Sequence, residues 1–580
     1  MADAGFDRRA RSWPMTSSRR ITVLAIVCMA ASLIIALVTA ARIHGPSIRP
    51  DEWGYLLNGQ VLIGHEEVRL PFSSMYPAGF GLITGAWAWV GGSLHAAYRL
   101  TLFTNIALMA VLGYLVFTFT VSTLKASRTT GYLVAALVIA SPGTLAGSLF
   151  ALPETLCKVV FMLLVVLIGY MVSRPRMNVV VLFGAVAGLA PIFSSRLVAI
   201  TVSAVVVLIA LAWNGIVSRS AALLGAGSLV VGYVITRSMN SIVRDVLYFG
   251  RRSGEGRILD RAFTVHLWPE VIREIAGQIW YVSAATACLG LVGLVVMVRA
   301  VARKARAYKR SDEQSPERFS YVFILMTFAF LIVLGALQLA LGKRADHYIY
   351  GRYVEMCVPA LFAVACVALE RTKTVAVRFW RWSIVFFAFL TAMYVLLVGA
   401  DVVWRAISID GPMRTANVLA IDALSHAVRR PGLLTMTPVL CAVSIAVVYL
   451  YMRKKEVALI VLASLLLGSS AWTASFTLIN RSSPDRGVGV ALQSVSHSDS
   501  SRVAYDGLKP QDRNYYTLRY AAHPSLIVWV DTRTENRIPE SFSCLYGYED
   551  RRPVDGEWEI VGRETSIERV LWRRVGQSAC

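Results

Sequence analysis

Charge is what this sequence has least of. Only 16% of its 580 residues are Asp, Glu, Lys or Arg, against about a quarter in a soluble globular domain, while 56% are hydrophobic. That balance excludes an ordinary water-soluble fold and makes the bilayer the main solvent. A glycine-rich phosphate loop, a spaced Cys/His metal set and a nucleophile elbow are also missing from the sequence. Cysteine supplies no disulfide framework, because Cys28, Cys157, Cys288, Cys357, Cys366 and Cys441 lie within or beside apolar runs, where a small hydrophobe suffices. Cys544 and Cys580 alone fall in a polar region, and they can pair if it meets an oxidising compartment.

What is present is a series of apolar runs. Arg8, Arg9, Arg11, Arg19 and Arg20 precede the first, at 21–41. This is the charge layout of a signal peptide, but the run is long enough to span and shows no small-residue cleavage site, so it reads as a retained span. Further runs lie near 98–121, 131–150, 154–173, 178–194, 197–213, 221–236, 277–299, 320–342, 354–370, 382–400, 434–452 and 456–476, about 13 in all. With the N-terminus inside, the inward turns carry Lys125/Arg128, Arg174/Arg176, Arg219, the segments 299–310 and 371–381, and Arg453/Lys454/Lys455. Every one is basic, as the positive-inside bias requires. The net charge of +22 therefore reports topology, and no nucleic-acid partner is expected.

The expected fold class is mainly α: a polytopic transmembrane helical bundle of about 13 spans, N-terminus in and C-terminus out. It divides into a basic cytoplasmic N-terminus (1–20), a transmembrane domain (21–476) and a small C-terminal α/β extracytoplasmic domain (477–580). Strand-like stretches at 525–531 and 557–562 support the last. The long polar loops, 43–97, 237–276, 343–353 and 401–433, all face outward, and the inward turns are too short for a nucleotide-binding domain.

The first outward loop carries Pro50-Asp51-Glu52-Trp53-Gly54-Tyr55 and then Met75-Tyr76-Pro77-Ala78-Gly79-Phe80-Gly81. Asp51, Glu52 and Tyr55, with Leu56, Leu57, Val61 and Leu62, have the spacing of an amphipathic helix lying in the interface. Pro50 and the two carboxylates also suit a helix N-terminus, so a plain cap stands beside any functional role. Glu154, after Pro153, has the same two readings. Basic residues on the outer side run against the positive-inside bias. The loop Lys343-Arg344-Ala345-Asp346-His347-Tyr348-Ile349-Tyr350-Gly351-Arg352-Tyr353 is therefore either an anion site or a lipid-headgroup contact. Arg196, in Phe193-Ser194-Ser195-Arg196, is a lesser candidate of the same kind.

The order of a first span, an outward Asp51-Glu52-x-x-Tyr55, a Tyr76-Pro77-x-Gly79 segment and Tyr98-Arg99-Leu100 opening the next span resembles the GT-C superfamily of integral membrane glycosyltransferases. The likeness covers roughly residues 20–370 and is closest to the branch of protein mannosyltransferases, aminoarabinose transferases of lipid A and arabinofuranosyltransferases of the cell wall. Tyr76-Pro77-Ala78 stands where the family usually has His-Pro-Pro or Tyr-Pro-Pro. The resemblance implies transfer of a sugar from a polyprenyl-phosphate donor to a cell-envelope acceptor, with the acidic motif catalytic. Asp51 would be the general base and Glu52 would orient the acceptor or hold sugar hydroxyls. Tyr55, Glu154, Arg196, Arg344, His347, Tyr350, Arg352 and Tyr353 would bind substrate, with Arg344 and Arg352 on the phosphate. No cofactor is expected; a divalent metal stays open. The expected setting is the plasma membrane, with membrane lipids as partners. A transporter or flippase of a lipid-linked glycan is the alternative, but it calls for charges or broken helices at mid-membrane, whereas the charges here collect at span ends.

Overall fold

The computed structural model describes residues 17–46, 51–64, 75–247, 255–306, 316–341, 349–398, 417–427 and 433–479, and from the C-terminal region 502–507, 526–530, 538–551, 556–564 and 569–577 with the single positions 515, 518, 520, 532, 553 and 580. Lipid offers the backbone no hydrogen-bonding partner, so an apolar run must satisfy its own amides, and a helix does so along its whole length. Over their described residues the apolar runs accordingly fall mainly on helices. Among the described residues nine helices are long and apolar enough to cross a membrane, beginning with Ser18–Arg42 and ending with Lys455–Phe476. Up to eleven cross if two bent pairs each count as one span.

The bent pairs correct the expectation of simple spans. Arg128–Ala140 and Pro142–Leu149 meet at 62°, because Pro142 cannot continue the helical ladder. The run 277–299 is not one straight helix. The Val265–Ala285 and Leu289–Ala302 segments diverge by 113° at Ala287 and Cys288, whose φ values of 46° and 64° end right-handed helix. The runs at 178–194 and 354–370 form shorter helices, Met177–Leu189 and Val358–Arg371.

The Asp51–Leu62 helix departs further from expectation. An interfacial helix would expose one face, but Glu52, Trp53, Gly54, Tyr55, Leu56, Leu57, Asn58 and Gly59 are all buried. It packs on Gly79–Gly91 through glycines. A Cβ on Gly59 would lie 2.6 Å from the backbone nitrogen of Gly85, and one on Gly54 would lie 2.0 Å from the Tyr76 ring. The small residues replace an apolar stripe as the reason this helix sits where it does.

The chain closes on a five-stranded sheet of order β2-β1-β3-β5-β4. β1 (Arg502–Asp506) runs parallel to β2 (Leu526–Val530) and β3 (Cys544–Tyr548), and β5 (Arg569–Arg574) is antiparallel to β3 and β4 (Trp558–Arg563). Cys544 and Cys580 are disulfide-bonded across a Cα separation of 5.5 Å. Tyr520 carries this region onto the helices. Its ring meets His95, Trp53 and Tyr98 at centroid distances of 4.3, 5.7 and 5.9 Å, above Gly45, where a side chain would collide with it.

Candidate functional site

Asp51 opens its helix, where the unsatisfied amides favour a negative charge. Its carboxylate is spoken for on both oxygens: Oδ1 accepts from the Tyr76 hydroxyl at 2.9 Å and Oδ2 from Arg352 Nη1 at 2.5 Å. Tyr76 is placed by Asn58, whose amide donates to the Tyr76 and Pro77 carbonyls at 2.8 and 3.0 Å. The Tyr-Pro segment thus delivers a hydroxyl as well as shape. Glu52 faces the other way. It is fully buried and accepts from the Ala151 backbone N–H at 2.8 Å, fixing the loop that leads to Glu154. Asn105 holds the same loop by donating to the Phe150 and Leu152 carbonyls at 2.7 and 3.2 Å.

Glu154 begins the Glu154–Ser173 helix. Its Oε1 accepts from Arg352 Nε at 2.5 Å and from Arg196 Nη2 at 2.8 Å. Arg352 therefore bridges the Asp51 and Glu154 carboxylates, and Arg196 extends the network to a fourth segment. Tyr353 lies under the Arg196 guanidinium at 4.9 Å, and Tyr350 lies 4.6 Å from the Tyr353 ring. Tyr55 is buried beside Tyr76, with 5.3 Å between ring centroids. Asp51, Tyr55, Glu154, Arg196, Tyr350, Arg352 and Tyr353 are thus brought together; Arg344 and His347 lie outside the described residues.

Among the described residues the network holds two cations and two carboxylates, a balance that burial favours. For Arg352, burial works to lower the pKa, but the Glu154 and Asp51 carboxylates outweigh it and hold the guanidinium well above its usual value. Burial raises the Tyr55, Tyr350 and Tyr353 phenols, so all three remain hydroxyl donors near neutrality. Two polar atoms are left over. Glu154 Oε2 and Arg196 Nε are buried without a hydrogen-bond partner among the described residues. Such orphans are costly in a closed structure, and a bound polar substrate is one way of satisfying them. No group of three or more His, Cys, Asp or Glu side chains that could hold a metal occurs among the described residues.

No family model matches the sequence, and no curated protein matches it. Solved structures do. ArnT from Cupriavidus metallidurans bound to undecaprenyl phosphate aligns at a TM-score of 0.56 with 14% identity, covering 96% of this chain and 99% of that one. The apo state of the same protein aligns at 0.54, also with 14% identity, covering 95% and 98%. The chain shares the fold of that protein. The archaeal oligosaccharyltransferase AglB from Archaeoglobus fulgidus, in complex with an inhibitory peptide and a dolichol-phosphate, aligns at only 0.39 with 12% identity, over 90% of this chain and 69% of that one. So loose a likeness carries no argument.

Within this fold, sequence reasoning missed a second polar cluster directly behind the first. Lys158 sits one helical turn beyond Glu154, and Glu355 three residues beyond Arg352. Lys158 Nζ lies 3.4 Å from Glu355 Oε2 and also bonds the Gly143 carbonyl. The Tyr281 hydroxyl donates to Glu355 Oε1 and accepts from the Ala420 N–H at 3.1 Å. Gly351 permits this arrangement, since a Cβ there would fall 2.0 Å from the Tyr281 ring. Lys158 lies one turn inside the Glu154–Ser173 helix, near the span end where the sequence expects charge, but buried and paired. One lysine inside an apolar run was the available signal, whereas Tyr281 and Asn105 gave none.

Proposed function

We propose that this protein is a plasma-membrane glycosyltransferase that moves a sugar from a polyprenyl-phosphate donor to an extracytoplasmic cell-envelope acceptor. The observation that carries this reading is Arg352 held between Asp51 and Glu154, in a fold shared with a protein solved with undecaprenyl phosphate bound. The disulfide in the C-terminal region supports an extracytoplasmic placing of that region.

Asp51 serves as the base in preference to Glu52, because Asp51 reaches the network and Glu52 is committed to Ala151. Without substrate, Arg352 neutralises Asp51. A donor phosphate offers that guanidinium a competing anion, which releases Asp51 Oδ2 to accept the proton of the acceptor hydroxyl. The acceptor oxygen then forms the new bond to the anomeric carbon as the old carbon–oxygen bond to phosphate breaks. Its electron pair leaves on the phosphate, where Arg352, Arg196 and the Tyr350 and Tyr353 hydroxyls stabilise it. Glu154 keeps both arginines aimed.

The test is transfer by the purified protein, in liposomes, from a polyprenyl-phosphate sugar, with donor and acceptor chosen from the glycan missing in a deletion strain. Asp51→Asn is expected to lower kcat by about 10²–10⁴-fold. Unchanged turnover removes the base assignment, and a wild-type protein that uses only soluble nucleotide sugars removes the proposed function.

A further inference from the structure

A cavity of about 790 Å³ opens against the Lys373–Val398 helix and is lined by none of the residues of the site above. Its polar wall is formed by Lys373, Arg378 and Arg381; its apolar wall includes Trp382, Val385 and, from the neighbouring Leu433–Arg453 helix, Met452. Among the described residues no carboxylate lines it. All three cations are exposed, and none has a carboxylate partner among the described residues. Lys373 lies over the Tyr451 ring at 5.6 Å, and Arg381 Nη2 touches the Met452 sulfur at 3.1 Å.

The order along the helix matters. The three cations fall within its first nine positions, a stretch of about 12 Å at 1.5 Å per residue. Trp382 and Val385 follow at once, 62% and 57% exposed, on a helix apolar enough to cross a membrane. A positive end that merely fixes topology needs charge alone. Here the charge borders a groove whose apolar wall continues into the region that lipid chains occupy.

We propose that this groove binds an anionic phospholipid, its headgroup phosphate among Lys373, Arg378 and Arg381 and an acyl chain along Trp382, Val385 and Met452. Charge complementarity selects the headgroup, since three cations with no acid beside them among the described residues favour a net negative lipid over a zwitterionic one. The site stands apart from the transfer reaction and does not depend on that reading.

Native mass spectrometry of the full-length protein in detergent tests it, with phosphatidylglycerol, phosphatidylcholine of the same acyl chains, and undecaprenyl phosphate as probes. Each cation beside an anionic headgroup is worth roughly fivefold in binding. The triple variant K373Q/R378Q/R381Q is therefore expected to bind phosphatidylglycerol about 100-fold more weakly, while R174Q/R176Q, at another basic turn, binds as the wild type does. All three positions are exposed, so the variant is expected to fold, and an unchanged melting temperature verifies this. Equal retention of phosphatidylcholine, full phosphatidylglycerol binding by the triple variant, or retention of undecaprenyl phosphate alone would each overturn the proposal.

Discussion

Asp51 and Glu52 are neighbours that make different contacts because successive helical residues point about 100° apart. One carboxylate meets Tyr76 and Arg352; the other is sealed against the Ala151 amide. Glu52→Ala leaves a buried N–H without its acceptor, which costs about 1–3 kcal/mol. A lower unfolding temperature in detergent is expected, with transfer per folded molecule retained. Loss of transfer at unchanged stability would return Glu52 to the chemistry. The same logic separates Arg352 from its sequence neighbours: its place between two carboxylates, and not its being basic, singles it out.

Among the elements, the Glu154–Ser173 helix joins the two polar clusters. Glu154 faces the arginines, and Lys158, one turn on, faces Glu355. Both members of the Lys158–Glu355 pair are buried, so removing one leaves an uncompensated charge. Lys158→Met is expected to destabilise by about 3–5 kcal/mol, and the double variant K158M/E355M by much less. Thermal unfolding of the two variants distinguishes the cases, and additive losses would show that the charges are not coupled. The apolar pattern announced these helices because burial in lipid and hydropathy are one property. It did not announce the breaks at Ser141 and at Ala287–Cys288, since hydropathy continues unbroken across both bends. Nor did it announce the burial of Asp51–Leu62, where glycines set the packing distance.

For the whole molecule, the C-terminal sheet region is tied to the helices near the acidic loop by Tyr520 and closed on itself by Cys544–Cys580. The bridge spans a sequence separation of 36, for which chain entropy gives about 2–4 kcal/mol. Cys544→Ser or a reductant is therefore expected to lower the temperature at which the sheet unfolds while the helical signal persists to higher temperature. Circular dichroism at two wavelengths follows both transitions, and an unchanged first transition would mean the bridge adds no stability.

The sequence by itself determined membrane residence, the helical runs and the polar groups that stand out against them, because each follows from local hydropathy and charge. It also picked out both ends of the central ion pair. Only the tertiary structure decided that Asp51, rather than Glu52, meets Arg352 across a separation of 301 residues, and that Lys158 is paired instead of exposed. Such contacts depend on how helices from distant parts of the chain pack, and no local pattern encodes that distance.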